Sequence, residues 1–308
     1  MAECSAPGKL ILFGEHAVVL GEPALSIAVD LRVSTRAERS AIFKVNGKSI
    51  GRRKYRYVKG AIEEVWRGEP LALRVNSELP VAAGLGSSAA VTVSTLGTLL
   101  HLMGEFDPVT VARNGFQVEL RVQGNASPID TTTSTHGGGI LVDGSAGSGL
   151  LWRLSRDDTE WFLHDCPLPD LSVVVGDTGI KAETGPLVSR VRKLTARSQV
   201  ARDQIKKIGR ITLRGKAALQ EGDFSLAGEL MNQNHELLNA LGVGHPALEK
   251  LISACEGLSY GAKLTGAGGG GSMIALTDEP EEVAMSIKGA GGEPFIVRYG
   301  REGVRLEV

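Results

Sequence analysis

The chain has 308 residues, of which 42% are hydrophobic and 22% charged, as expected of a globular protein with room for two domains. Its net charge of -1 argues against general nucleic-acid binding, and we find neither a membrane-spanning segment nor a signal-peptide layout. Cys4, Cys166 and Cys255 match no zinc or disulfide spacing, so we expect a reducing, cytoplasmic location.

The first predicted element is a short apolar strand within residues 6–16, bounded by glycines. Lys9 lies near its start, and Glu15 and His16 follow its end. Taken alone, Lys9 fits a solubilising strand-edge lysine and His16 fits a loop histidine as well as either fits a functional site. A second strand is predicted over residues 24–36.

A glycine loop follows a strand predicted over residues 71–75 and precedes a buried helix predicted over 87–103. Such a loop leaves backbone N–H groups unpaired beside the positive end of the helix dipole, which suits a phosphate, and a serine hydroxyl there can reach a phosphate-bound metal. A tight strand-to-helix turn is the alternative, and the loop lacks the ending of a P-loop. The residues assigned to this phosphate loop are Pro80, Ala83, Gly84, Leu85, Gly86, Ser87, Ser88, Ala89 and Ala90.

The next helix is predicted from its capping residues, Asp107 and Pro108, to about Gln123. At about 100° per residue, Glu119 falls inside the apolar arc of this helix, close to Ala112. An unpaired buried carboxylate is costly, so Glu119 needs a cation, a metal or a proton. A glutamate at the rim of the arc that reaches solvent is the alternative.

Residues 124–139 are rich in hydroxyl groups and glycine and are predicted as a loop, with Asp130 and His136 as its ionisable groups. Such a run is usually a solvated loop, but here apolar segments flank it. A strand is predicted to follow at residues 140–142.

Prolines near residue 167 mark a connection, so we place a domain boundary there, which divides the chain into residues 1–166 and 167–308. A buried strand is predicted over 171–175. Amphipathic helical segments are predicted over 187–208 and 224–241, and a further helix over 247–257. The basic residues of the first segment, Arg190 among them, are interpreted as a solvated charged face rather than an anion-binding patch.

The last feature is a glycine-rich turn between two predicted strands within residues 263–276, with five glycines among six residues. Because so many glycines cost conformational entropy, this turn indicates a close approach of the backbone to a ligand. A loose hairpin loop is the alternative.

Three of these segments together resemble the signature motifs of the GHMP kinases, a family named after its galactokinase, homoserine, mevalonate and phosphomevalonate kinase members. They are residues 6–21, 80–90 and 264–271, in the order of the family's motifs. The resemblance covers essentially the whole chain. Within the family, residues 14–19 and 127–138 are most similar to archaeal-type mevalonate kinases.

The resemblance implies an α+β fold of two domains, with an N-terminal domain like domain 2 of ribosomal protein S5 and a ferredoxin-like C-terminal domain. The active site would lie in the cleft between them. The implied reaction is transfer of the γ-phosphoryl group of ATP to the 5-hydroxyl of mevalonate, with Mg²⁺. Mevalonate and ATP would be the ligands, with no nucleic-acid or membrane partner, and a homodimer is left open.

Carried over by position, the resemblance implies Asp130 as the catalytic aspartate, with Lys9 beside it. Ser88 and Glu119 would bind Mg²⁺, and Glu15 would line the ATP site. The implied substrate-binding residues are His16, Val18, Thr184, Gly266 and Ala267.

The chain departs from the family pattern at two places. Thr131 replaces an asparagine that often follows the aspartate, and Ala182 and Glu183 stand where relatives often carry a basic residue. The second departure bears on contacts with the substrate or the phosphate. Phosphomevalonate kinase and a decarboxylase acting on a mevalonate derivative are alternative activities, but their phosphorylated substrates should need more basic residues. A non-catalytic ligand sensor would be expected to lose the catalytic residues, all of which are present.

Overall fold

The computed structural model describes residues 1–51, 53–80, 84–124, 126–156, 159–181 and 184–307. The strands are β1 (Ala2–Phe13), β2 (Ala24–Arg39), β3 (Lys44–Val45), β4 (Lys48–Ser49), β5 (Leu71–Ser77), β6 (Gly139–Asp143), β7 (Leu150–Arg156), β8 (Thr159–Asp165), β9 (Ser172–Asp177), β10 (Gly261–Thr265), β11 (Ser272–Leu276), β12 (Glu293–Arg298) and β13 (Arg305–Leu306). The α-helices are α1 (Arg56–Val65), α2 (Ser87–Met103), α3 (Pro108–Gln123), α4 (Ile129–His136), α5 (Thr184–Arg197), α6 (Gln199–Glu221), α7 (Phe224–Ala240), α8 (Pro246–Ser253) and α9 (Pro280–Gly289). Two largely antiparallel sheets with helices confirm the predicted α+β class.

Strand β2 organises the first sheet because it pairs with three other strands. On one side, β1 runs antiparallel to it from Ala2, opposite Ala37, to Phe13, opposite Leu25. On the other side, β6 pairs with the first residues of β2 and β5 with its last. The order is β4-β3-β5-β2-β6-β8-β7, and β13 adds to the free side of β1. The strand that carries Lys9 is therefore held on both sides near its start.

The second sheet has the order β10-β11-β9-β12, and all of its described pairs are antiparallel. Along the chain, β9 is followed by helices, then by the hairpin of β10 and β11, then by α9 and β12. This is the β-α-β-β-α-β arrangement of a ferredoxin-like domain, as predicted. The glycine-rich third motif forms the turn between β10 and β11.

The division of the chain at residue 166 remains a proposal. Strand β8 of the first sheet ends at Asp165, and β9 of the second begins at Ser172. Near the C-terminus, β13 returns to the first sheet and pairs with β1, with Cys4 opposite Leu306. Within the described ranges, no helix combines the length and hydropathy that a membrane span requires.

Helix α2 begins at Ser87 and ends at Met103, as predicted, and most of its residues are buried. Small residues allow its close packing: a Cβ atom added to Gly97 would lie 3.3 Å from the Cβ of Cys4. Its buried hydroxyls are satisfied locally, since Thr92 and Thr95 donate to the carbonyls four residues earlier, at 2.8 and 2.7 Å. The helix that starts at the phosphate loop is thus fixed in the interior.

Three local predictions need correction. Strand β1 begins at Ala2, so Lys9 lies inside the strand rather than near its start. The helical segment predicted over 187–208 is two helices, because Ser198 has an extended backbone and caps α6 by accepting from the Ala201 N–H.

The third correction is that the predicted loop over 124–139 contains helix α4. The threonines of α4 have low intrinsic helix propensity, which is why the pattern indicated a loop. In the structure they are buried, and the hydroxyls of Thr133 and Thr135 each donate to the carbonyl four residues earlier, at 2.7 Å. Tertiary burial therefore outweighs the local preference.

Candidate active site

Lys9 and Asp130 form an ion pair, with Lys9 Nζ 2.8 Å from Asp130 Oδ1. Lys9 comes from β1 and Asp130 from the first turn of α4. The Lys9 side chain is 6% exposed and that of Asp130 is 27% exposed. The structure thus brings the two predicted catalytic residues into contact, and the carboxylate is the partner that a ligand can reach.

The phosphate loop packs directly on Lys9. Gly86 precedes α2 with φ at 68°, and the helix start has no side-chain cap. A Cβ atom at Gly86 would lie 2.6 Å from Cγ and Cε of Lys9, and the Lys9 N–H donates to the Leu85 carbonyl at 3.0 Å. An uncapped helix N-terminus beside a lysine is suited to hold an anion.

The remaining residues assigned to the phosphate loop differ in accessibility. Gly84 is exposed, Ser87 and Ser88 are half-buried, and Ala89 and Ala90 are fully buried, so the two alanines contribute backbone rather than side chain. Pro80 is half-buried and precedes residues 81–83; Ala83 lies outside the described residues. A Cβ atom at Gly84 would lie 3.3 Å from Ser272 at the start of β11, so the first and second sheets meet beside this loop.

Glu119 on α3 is 1% exposed, which confirms the prediction that it faces the interior. Burial, and to a lesser extent the neighbouring Asp130 charge, raise the pKa of Glu119 to about 8, although Lys9 and a hydrogen bond from Ser88 act in the opposite direction. Lys9 is already paired with Asp130. Glu119 is therefore a buried carboxyl group that a further cation would stabilise in its charged form.

The oxygen groups of Ser88 and Glu119 fit a magnesium ion that arrives with a nucleotide. Among the residues whose placement is described, no cluster of three or more His, Cys, Asp or Glu side chains could hold a metal on its own. Magnesium in nucleotide sites needs only one or two carboxylates, because phosphate oxygens and waters complete its coordination. Glu119 is buried and burial raises its pKa, so a magnesium ion beside it would favour the charged carboxylate.

His16 connects the first motif to the third. Its Nε2 lies 2.9 Å from the Ala267 carbonyl oxygen, and burial lowers the pKa of His16. The neutral ring therefore carries its proton on Nε2 and donates it to Ala267. Its Nδ1 is buried and, within the described ranges, has no hydrogen-bond partner. The structure thus leaves one imidazole acceptor free, beside the glycine-rich turn.

Glu15 forms a buried ion pair with Lys263, and neither side chain is exposed. Lys263 Nζ also donates to the Leu264 carbonyl at 2.7 Å. The pair joins the turn after β1 to β10, across the two sheets. This placement favours a structural role for Glu15 over the direct contact with ATP that the resemblance implies. Lys263 had no predicted role, although a lysine within a fully buried strand is a signal that could have identified it.

The other predicted substrate residues are more dispersed. Val18 is 3% exposed within an apolar cluster, and its carbonyl accepts from Trp161 Nε1 at 2.9 Å, so its side chain does not line the cleft. Thr184 is exposed at the start of α5. Gly266 has φ at 78°, and a Cβ atom there would meet nothing within 4 Å, so this turn residue faces open space.

Comparisons with known proteins give consistent matches over this chain. The family models for the GHMP kinases N terminal domain and for the GHMP kinases C terminal match residues 56–138 and 216–288. The mevalonate kinase of Thermococcus sibiricus is 38% identical and aligns over 98% of this chain and 97% of its own length. The mevalonate kinase of Methanothermobacter thermautotrophicus is 35% identical over 89% of each chain.

Solved structures share the fold. The mevalonate kinase of Methanococcus jannaschii superposes with a TM-score of 0.78 and 25% identity, covering 96% of this chain and 98% of that one. The mevalonate kinase of L. major, in complex with R-mevalonate, gives a TM-score of 0.80 at 23% identity and covers 98% and 97%. At 23% identity, the similarity to the L. major enzyme shows a shared fold.

Proposed function

The chain belongs to the GHMP kinase family, and within that family we propose that it is a mevalonate kinase, which transfers the γ-phosphoryl group of ATP to the 5-hydroxyl of mevalonate. One observation carries the proposal: the Lys9–Asp130 pair lies against an uncapped helix N-terminus and beside the buried Glu119. This arrangement supports a phosphate site next to a carboxylate that can act on an alcohol.

Asp130 is positioned to act on the acceptor hydroxyl. Its carboxylate is the accessible member of the pair, so the hydroxyl can donate a hydrogen bond to it and then its proton. Lys9 holds Asp130 in place, and its charge offsets negative charge on the phosphoryl group as it moves to the acceptor. Phosphoryl transfer depends mainly on such positioning and charge stabilisation.

The start of α2 would bind the phosphates of ATP. The backbone N–H groups that follow Gly86 have no side-chain cap, and the small residues of the loop permit close approach. Ser88 and Glu119 would hold Mg²⁺, and Glu119 must lose its proton to do so. When bound with ATP, the ion neutralises charge on the phosphate oxygens.

His16 would orient mevalonate from the other side. Its neutral ring presents Nδ1 as an acceptor, which a substrate hydroxyl can satisfy, while Nε2 stays bonded to Ala267. The free, buried Cys4, Cys166 and Cys255 support our proposal of a reducing, cytoplasmic environment.

A coupled assay of ADP release tests this function. We expect magnesium-dependent turnover with mevalonate and little with phosphomevalonate, homoserine or galactose. The Asp130→Asn variant, purified in the same way, controls for contaminating kinases. Faster turnover of phosphomevalonate than of mevalonate would show that the substrate proposal is wrong.

A further inference from the structure

This inference rests on the proposed function and starts from the charge of its substrate. Mevalonate carries a carboxylate at neutral pH, and binding it without a cationic partner would be costly. Lys9 is paired with Asp130, and Lys263 is fully buried against Glu15. Residue 182, where the resemblance leads us to expect a basic side chain, is alanine. The carboxylate therefore needs a cation from elsewhere in the chain.

Arg190 on α5 is close enough to His16 to influence its charge. Its Nη2 donates to the Gly242 carbonyl, and the side chain is exposed. Burial lowers the pKa of His16, and the positive charge of Arg190 lowers it further, as expected for a guanidinium group near the imidazole.

A chain of backbone contacts connects Arg190 to the residues that hold His16. Gly242 is followed by Val243, whose carbonyl accepts from the Gly269 N–H at 2.7 Å. A Cβ atom at Gly268 would lie 2.1 Å from the same carbonyl oxygen, so the two turns are in direct contact. The preceding residue, Ala267, accepts from His16. Arg190 is thus anchored to the turn that packs on the third motif.

The guanidinium group has donors to spare. It carries five N–H groups, and within the described ranges the bond to Gly242 is its one hydrogen bond. A carboxylate can accept two parallel hydrogen bonds from a guanidinium, which fixes orientation as well as providing attraction. When an acceptor hydroxyl binds at His16, the carboxylate of the same small molecule is only a few covalent bonds away from it.

We propose that Arg190 binds the carboxylate of the acceptor and so makes the enzyme specific for a hydroxy acid over a neutral polyol. The proposal separates Arg190 from the other basic residues of α5, to which it gives no role in binding the acceptor. It also explains how the chain can carry alanine at residue 182 and still recognise an acid.

The test compares two acceptors in two variants. The acceptors are mevalonate and 3-methylpentane-1,3,5-triol, in which an alcohol replaces the carboxylate. For Arg190→Gln we expect the KM for mevalonate to rise by roughly 10- to 100-fold, as for loss of hydrogen bonds to a charged group. The KM for ATP and the kcat/KM for the triol should change less than about twofold, because neither involves the carboxylate. Lys193→Gln, on the same exposed helix, removes one positive charge as a matched control and should behave as wild type.

Each other outcome overturns the proposal in a recognisable way. An unchanged KM for mevalonate in Arg190→Gln would show that Arg190 does not contact the acid. Equal losses of kcat/KM with mevalonate and the triol would show a structural role through Gly242. Thermal melting and the Arg190→Lys variant, which keeps a charged donor, exclude simple misfolding. Wild-type enzyme that turns over neither acceptor would contradict the proposed function itself.

Discussion

Two lysine–carboxylate pairs lie at different depths in this molecule. The difference in exposure distinguishes a pair that a ligand can reach from a pair that stabilises the fold. In the Lys9–Asp130 pair, the carboxylate side chain is 27% exposed, whereas both side chains of the Lys263–Glu15 pair are 0% exposed. A substrate hydroxyl can reach Asp130 but not Glu15. The two lysine–carboxylate pairs therefore do not share one role: the accessible carboxylate of Asp130 can contact a substrate, whereas Glu15 is held by Lys263 within the interior.

The buried pair holds together the cleft in which the other pair works. Burial raises the pKa of Glu15 and lowers the pKa of Lys263, and their mutual attraction opposes both changes. Because Glu15 precedes His16 and Lys263 lies in β10, the pair fixes the first motif against the strand that leads into the third. The comparison supports our proposal that the Lys9–Asp130 pair acts in turnover, whereas the Glu15–Lys263 pair aligns the two sheets.

The largest effect is expected for Asp130→Asn, which keeps the shape of the accessible carboxylate and removes its charge. We expect kcat to fall by about 10²- to 10⁴-fold, the usual range for loss of general acid–base catalysis. ATP affinity, measured by calorimetry, should stay close to wild type. A kcat within a few-fold of wild type would show that Asp130 neither accepts the proton nor stabilises the transition state.

The sequence alone could predict the burial of a charged residue only where a local pattern determines it. Asp107 and Pro108 gave the start of α3, and the helical period placed Glu119 inward because both depend on neighbours within a few turns. The partner of Glu15 is 248 residues away in the chain, so no local pattern could indicate it. Helix α4 was missed because its threonines are stabilised by burial rather than by propensity.

Lys263→Met tests the buried pair and should have the largest effect on stability. The variant leaves Glu15 buried without its cation, and breaking such a pair typically costs about 3–5 kcal/mol. We expect a loss of stability in this range in denaturant unfolding, with a smaller loss in the double variant Glu15→Gln/Lys263→Met, which removes both charges. Equal stability of the single and double variants would show that the two charges are not coupled.

Glu119→Gln tests whether a buried carboxyl without a lysine partner is a metal ligand. The variant should stay folded and should need far more Mg²⁺ for half-maximal rate, because the amide has no charge to offer the ion. Mevalonate affinity should change little. An unshifted magnesium requirement would contradict this role, whereas a large drop in melting temperature would indicate a structural ion pair.

The pH dependence of stability sharpens the same comparison. Burial raises the pKa of Glu119 from its ordinary value of 4.5 to about 8 in the folded state, so the folded protein binds this proton more tightly than the unfolded chain does. This contribution to stability is complete below about pH 4.5 and is lost as the pH rises through about 8. In the presence of a chelator, the melting temperature of wild type should fall over this window relative to Glu119→Gln. If the melting temperatures of wild type and Glu119→Gln changed in parallel with pH, the raised pKa of Glu119 would be contradicted.

The smallest effect is expected for a third lysine–carboxylate pair, which lies at the surface. On α1, Lys59 Nζ is 3.5 Å from Glu63 Oε1, and the two side chains are 52% and 50% exposed. Water and salt screen such a pair, so Lys59→Gln should cost only about 0.3–0.5 kcal/mol, and the cost should vanish in high salt. Its kcat should equal that of wild type. If Lys59→Gln destabilised the protein as much as Lys263→Met in the same denaturant experiment, depth would not be what distinguishes the pairs.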